Sequence, residues 1–186
     1  MIRLLHFTKA IFILAVAAVA LTGPRLALAA SDSVLDQDSE AALKSLYSTA
    51  PGAKVNGDTA KGILVFPSVT RAGFILGAQG GNGVLFEKGK ITGYYKTGAM
   101  SVGLQAGIQS YGYALFFVTD EDLAYLKKSS GWSLGVGPTI VIADAGAAKD
   151  ASTLTGKKGV YGFIFDQKGL MAGIGLTGQK IGKVGK

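Results

Sequence analysis

The chain has 186 residues and a formal charge of +7, with 28 glycines, no cysteine and one histidine, His6. No cysteine means no disulfide, no thiol nucleophile and no Cys/His zinc site, and a lone histidine at the extreme N-terminus leaves the body of the chain without a His-based triad. The length suits one domain, and 48% hydrophobic residues allow it to hold together by burial alone.

Residues 1–29 read as a secretory signal peptide. Arg3 and Lys9 supply a basic start, Ala10–Leu21 is an unbroken apolar run of 12 residues, and Ala27-Leu28-Ala29 offers small residues for cleavage before Ala30. The rival reading is a membrane anchor, but crossing a bilayer takes about 20 apolar residues. No cysteine follows the run, so lipid attachment at cysteine is excluded. The expected product, 30–186, is one domain destined for the periplasm or its membranes. Removing 1–29 takes away Arg3, Lys9 and Arg25 and no acid, which lowers the charge to +4. That charge is uneven: residues 30–60 sum to −3 and residues 61–186 to +7.

Residues 33–50 have helical spacing, with Leu35, Ala42, Leu43, Leu46, Tyr47 and Ala50 on one face. Ser33 and Asp36 resemble a capping box, and Pro51-Gly52 stops the helix. Residues 55–61 have the makings of a second short helix. Three apolar runs follow, Ile63–Phe66, Phe74–Leu76 and Val84–Phe86. They read as strands separated by turns at Pro67-Ser68 and at the glycine cluster containing Gly80, Gly81 and Gly83. Arg71 then falls at a turn between the first two. Ile91–Tyr95 pairs back across Gly89.

Ala99–Gln109 alternates, with Met100, Val102, Leu104, Ala106 and Ile108 on an apolar face. Gly112–Thr119 is apolar on both faces and reads as a central covered strand. Thr119 and Asp122 form a second capping box that opens a short helix ending at Lys127-Lys128. Trp132–Ala143 alternates again, and residues 144–158 read as a loop. Val160–Phe165 and Leu170–Thr177 make a last hairpin turning at residues 166–169, followed by a frayed tail.

Gly103, Gly107, Gly135, Gly137 and Gly173 fall opposite the large apolar residues of these strands. Glycine on one face of several strands allows strong coiling or the close approach of another backbone. The expected fold is α+β and β-rich: a strongly curved antiparallel sheet or partly closed barrel with a few short helices packed on it.

Motifs for chemistry are missing. The spacing from Gly77 to Gly83 lacks the G-x-G start of a dinucleotide fingerprint, and Thr155-Gly156-Lys157-Lys158 has Lys where a phosphate loop needs Ser or Thr. No serine-hydrolase motif occurs. Asp120-Glu121-Asp122 is the densest acid cluster, and helix capping accounts for it better than a metal or a proton-sharing pair. No cofactor, metal or nucleic-acid partner is implied.

Ordered blocks resemble the SYLF domain family. They are Ala60–Pro67, Ala72-Gly73-Phe74, Gly80–Val84, Gly103–Gly107, Leu115–Leu123, Gly135–Pro138 and Lys168–Gly173. The resemblance spans about residues 40–182. It implies a non-enzymatic lipid-binding domain. Eukaryotic members bind phosphoinositides and some bundle actin, whereas bacterial members are exported single domains. The segment matching the basic N-terminal helix of lipid-binding members is acidic here, with Lys44 alone between Ser33 and Ala50.

The leading function is association with anionic phospholipid, with Arg71, Lys127, Lys128, Lys157 and Lys158 as the candidate contacts. Arginine suits bidentate phosphate binding, and lysines add non-selective attraction. The same lysines would equally serve to keep a glycine-rich sheet soluble. An outer-membrane β-barrel and a protein-interaction domain without lipid binding are the alternatives.

Overall fold

The computed structural model describes residues 32–102, 107–144, 159–169, 176 and 178–185. Leu35–Lys186 forms one compact unit, and the segment before Leu35 is a separate unit. The expected signal segment 1–29, most of the expected loop 144–158, the second arm of the expected last hairpin, Gly103 and Gly173 lie outside the described residues.

Helix α1 spans residues 32–49. It is already helical at residue 32, so Ser33 lies within it and is not its N-cap, contrary to the capping-box expectation. Asp36 instead accepts a hydrogen bond from the Tyr94 hydroxyl at 3.2 Å. Ala50 is extended, as the residue before proline prefers to be. Pro51 then opens α2 (Pro51–Thr59) at once, because its fixed φ suits the first turn. Pro51-Gly52 therefore ends one helix and begins the next.

The sheet has eight strands: β1 (Gly62–Gly73), β2 (Leu76–Glu87), β3 (Lys90–Val102), β4 (Gly107–Phe117), β5 (Trp132–Ser133), β6 (Ile140–Asp144), β7 (Val160–Gly169) and β8 (Lys180–Lys183). Their order is β5-β8-β3-β2-β1-β4-β7-β6, antiparallel except for the β6–β7 pair. Helix α3 (Asp120–Lys128) follows β4. Thr119 caps it, accepting from the Asp122 N–H at 3.1 Å, as expected.

The opening strands are longer than their apolar runs suggest. Pro67 does not end β1; it occupies a bulge where Phe66 faces Tyr113 and Val69 faces Tyr111, one residue extra on the β1 side. Phe74-Ile75 is the hairpin turn and not a strand. Gly80, Gly81 and Gly83 lie inside β2 and not at a turn, and Arg71 lies inside β1 opposite Gln79 and Gln109. A side chain at Gly83 would lie 2.5 Å from the Phe66 ring and 2.6 Å from the Val65 carbonyl. Glycine there lets β1 press its bulge onto β2. The true tight turn is Lys88-Gly89, where both residues have positive φ, as a two-residue hairpin requires.

Two other expected strands are each divided. Ala99 pairs in β3 and Gln109 in β4, with two strands between them in the sheet. Trp132 and Ile140 belong to opposite ends of the sheet order. Between them, Gly135 and Gly137 adopt φ of 98° and 93°, conformations that a β-branched residue resists. Period-2 alternation carried across both breaks and concealed them. β7 runs straight through residues 166–169 with Asp166 in a bulge, so no hairpin turns there. The tail is paired, with Ile181 buried against the core.

The linkage of β5 to β6 forces the curvature. Eight strands laid flat put the outer strands about 34 Å apart at about 4.8 Å per gap. Seven residue steps from Ser133 to Ile140 reach at most about 25 Å. The sheet must curl, and the link is bonded at both sides: Leu134 N–H donates to Gln179 at 2.8 Å and Val160 N–H to Thr139 at 2.8 Å. The result is a half-barrel with three short helices packed on it. Among the described residues the order has two unpaired ends, and helices α1 and α2 occupy the outside, whereas a membrane barrel needs a closed ring with lipid outside.

The concave face buries Leu64, Phe66, Leu85, Tyr113, Leu115 and Phe117 beneath α3 and Trp132. The convex face buries Val65, Val84, Phe86, Ala114, Phe116 and Phe163 beneath α1 and α2. The Gly83 contact yields a stability test. Gly83→Ala is expected to lower unfolding free energy by about 1–3 kcal/mol through overpacking. Gly80→Ala, whose Cβ meets only the Thr97 carbonyl at an ordinary 3.6 Å, should change it by less than about 0.5 kcal/mol. Urea denaturation of the two variants beside the parent reads the difference.

Candidate functional site

Helices α1 and α2 cover the convex face only at the end where β1 begins. Beyond the Pro67 bulge the same face continues uncovered. Register places Ile108, Ala72, Ala78 and Met100 in one row across β4, β1, β2 and β3. Their neighbours at the hairpin end are Phe74, Ile75 and Leu76. Exposure is 73% for Phe74, 87% for Met100 and 71% for Ile108. Single exposed apolar residues are ordinary, but five large ones grouped on one end of a sheet are not.

Lysines border this patch. The next row on the same face reads Lys168, Ser110, Thr70, Gly80, Gly98 and Lys180, and the one after it contains Ser68, Asn82 and Lys96. None of these rows holds an acid; Asp166 sits in the β7 bulge between the Phe165 and Lys168 positions. Small side chains fill the centre, so the rows form a shallow floor with cations at its rim.

The concave face behind the hairpin is polar. Gln109, Arg71, Gln79 and Ala99 form one row. Deeper lie Tyr111 and Thr97, with Gln179 reaching in from the segment before β8. Thr97 donates to Gln179 Oε1 at 2.9 Å, Gln179 Nε2 donates to the Tyr111 hydroxyl at 2.9 Å, and Tyr111 donates to Gln79 Oε1 at 3.0 Å. Burial pushes the Tyr111 hydroxyl up, partly offset by the Gln179 bond and the nearby Arg71 charge. Tyr113, fully buried one row below, is held well above the ordinary tyrosine value by desolvation.

The candidate cations named from the sequence do not meet. Arg71 is close to the hairpin end. Lys127 and Lys128 close α3 at the opposite end of the strands, where Lys127 Nζ pairs with Glu87 Oε2 at 2.6 Å. Leu76 and Glu87 are separated by the whole of β2, about 35 Å at the rise of an extended strand. Burial raises the Glu87 carboxyl, but bonds from Lys127 and Thr92 and the charges of Lys127 and Lys88 outweigh it and hold the group below its ordinary value. Lys61, Lys88 and Lys90 line a groove at that end, matched by Asp58, Glu87 and Asp120, so its field largely cancels. Lys157 and Lys158 lie outside the described residues.

Among the named glycines, Gly107 opens β4 with φ 139° and no described atom within 4 Å of its missing Cβ, whereas a Cβ at Gly137 would strike the Tyr125 ring. Among the described residues no group of three or more His, Cys, Asp or Glu is placed to hold a metal ion.

Sequence reasoning missed Phe74, Ile75, Leu76, Met100 and Ile108 as surface residues because apolar runs in alternating segments read as core. The available signal was Gly73 and Gly77 flanking Phe74–Leu76, which marks a turn. Lys96, Lys168 and Lys180 are far apart in sequence, and only the register brings them together.

The buried tyrosines give a pH dependence. Burial, with a smaller push from the Asp58 charge, takes Tyr47 up to about 12, and Tyr95, Tyr111 and Tyr113 are also raised. The folded chain keeps protons that the unfolded chain loses near pH 10. Stability from these groups is therefore complete below about pH 10 and falls as pH rises toward the folded values. Urea midpoints should drop between pH 10 and pH 12, and Tyr47→Phe should soften that drop.

Residues 98–184, from the end of β3 through β8, match the model of the Ysc84 family, described as Las17-binding protein actin regulator. This is the SYLF-type family, and the match includes Met100, Ile108, Lys168 and Lys180 while leaving Arg71 and the β1–β2 hairpin before it. No curated protein matches the chain.

Proposed function

We propose that this is an exported, non-catalytic domain that docks on anionic phospholipid surfaces by the hairpin end of its half-barrel. One observation carries the reading: five large apolar side chains stand exposed at that end, bordered on the same face by three lysines, with no acid in their rows. The similarity of residues 98–184 to a SYLF-type family supports a role at lipid surfaces. The actin-regulator wording of that family is not extended to this chain.

Magnitudes favour the apolar group as the main anchor. Fully burying a Phe, Leu, Ile or Met side chain yields about 1.5–3 kcal/mol. A basic residue near an anionic surface adds about 1 kcal/mol, decaying within a Debye length of about 8–10 Å. Lys168 and Lys180 lie one row, about 7 Å along the strands, from the Met100–Ile108 row and so within that reach, and Lys96 lies two rows away, about 14 Å. Lys127 and Lys128, about 35 Å away along β2, are then too distant to contribute.

Co-sedimentation with vesicles tests this. The protein should pellet with phosphatidylglycerol vesicles, pellet less with phosphatidylcholine, and lose binding as salt rises. Joint replacement of Phe74, Leu76 and Met100 by Ser should weaken binding at least about tenfold, since about 1.4 kcal/mol suffices for that. Lys96→Glu with Lys168→Glu and Lys180→Glu should remove the preference for anionic lipid. Lys127→Glu with Lys128→Glu should change nothing. Failure of the parent protein to pellet with any vesicle would remove the reading.

A further inference from the structure

We propose that Met100 is a redox modification site. A two-electron oxygen donor such as hydrogen peroxide converts its thioether to the sulfoxide, and the sulfoxide releases the hairpin end from the surface on which it docks. The release rests on the membrane-docking reading; the modification does not.

Composition narrows where an oxidant can act. The chain has no cysteine, one tryptophan and three methionines. Thiols, the usual first target of such oxidants, are missing. Trp132 is 1% exposed, and Tyr95, Tyr111 and Tyr113 are equally deep in the core. Met1 and Met171 lie outside the described residues. Among the described residues Met100 is the one thioether, and at 87% it is the most exposed of the large apolar side chains.

The sheet explains that exposure. β8 pairs with β3 only from Tyr95 to Gly98, so among the described residues Met100 has a paired strand on one side alone. Its partner on β2 is Ala78, and the preceding residue on its own face is Gly98, paired with Gly80. None of these carries more than a methyl group, so none is tall enough to shelter the sulfur. An oxidant reaches the sulfur lone pairs from solvent without any opening of the fold.

The step balances with peroxide alone. A sulfur lone pair attacks one peroxide oxygen, the S–O bond forms as the O–O bond breaks, and the second oxygen leaves as water. Sulfur gives up two electrons and peroxide takes them. The product puts a polar S=O group where a soft apolar group stood. Burying a polar group without a hydrogen-bond partner is unfavourable, and the Met100 row, with Ala78, Ala72 and Ile108, offers it no side-chain donor. A side chain that favoured leaving water now opposes it. No core contact is lost, so the domain stays folded while its anchor changes character. A dithiol-dependent sulfoxide reductase removes the oxygen as water and restores the thioether, which makes the release reversible.

The intact protein would be treated with hydrogen peroxide and digested with trypsin, which places Met100 in peptide 97–127 and Met171 in peptide 169–180. Peptide 97–127 should gain one oxygen at a rate within about tenfold of that for N-acetylmethioninamide in the same solution. A slower rate, or oxidation of Trp132 before Met100, would overturn the site. Oxidised protein should bind phosphatidylglycerol vesicles about tenfold more weakly or worse than untreated protein, with an unchanged urea midpoint, and binding should return once enzymatic reduction restores the parent mass. Met100→Leu, which cannot take up oxygen, should bind equally before and after peroxide, whatever its untreated affinity. Loss of binding in Met100→Leu on treatment, or a fall in the urea midpoint of the oxidised parent, would overturn the switch, as would full binding by parent protein oxidised at Met100. Untreated protein that binds no vesicle would remove the docking reading and the release with it, while the peptide masses alone decide the modification site.

Discussion

Helix α1 lies across the strands and not along them, and the rest of the molecule depends on that mismatch. Helix α1 has 18 residues, about 27 Å of length, and it reaches from Tyr94 of β3, bonded to Asp36, to Phe116 of β4, packed against Tyr47, with β2 and β1 between them in the sheet. β1, β2 and β3 run for 12 or 13 residues each, about 40 Å. A helix about 10 Å wide therefore covers only part of such a face. The chain does not hide the remainder with polar residues. It places Thr, Ser, Ala and Gly in the middle and large apolar side chains at the far edge, with lysines beside them. A surface so arranged suits a medium that is apolar within and anionic at its boundary.

Curvature gives the two faces different roles. Because only the short link from Ser133 to Ile140 connects the outer strands, the sheet curls and the concave face closes on itself at the α3 end. Phe117, Trp132 and Tyr125 pack ring against ring there, with the Trp132 indole donating to the Val136 carbonyl at 2.8 Å. At the hairpin end no such plug is built among the described residues. The core instead grades into Tyr111, Thr97, Gln179 and Gln79, then into a rim of glycine. Stability is concentrated at one end and exposure at the other.

Much of the fold was legible. Val, Ile and Phe runs marked strands, Thr119 with Asp122 marked a helix start, and Gly89 marked a hairpin. The apolar stripe of α1 from Leu35 to Ala50 is the stripe that packs. Two expected strands failed for one cause: alternation along the chain reports which face a residue occupies, not where one strand stops and the next begins. Residues 99–109 and 132–143 keep their period through a change of strand, so each looks like one element. Pro67 looks like a terminator, yet a bulge accommodates a residue that cannot donate. The glycines of β2 look like a turn, yet Gly81 and Gly83 are there because Val69 and Phe66 leave no room for a Cβ. The site was less legible than the fold, since exposure of Met100 and Ile108 is decided by how far α1 and α2 reach. Arg71 stands out as the only arginine after residue 29, but its neighbours Gln79 and Gln109 come from strands on either side and are set by register alone.

The absence of cysteine in the sequence makes the central claim directly measurable, because any introduced cysteine is unique. A polarity-sensitive fluorophore would be attached through Phe74→Cys, Met100→Cys or Lys128→Cys, one at a time, and each protein mixed with phosphatidylglycerol vesicles. The account predicts a blue shift and loss of quenching by aqueous iodide for labels at positions 74 and 100, and an unchanged, fully quenched label at position 128. Burial of the label at 128, with those at 74 and 100 left in water, would contradict it.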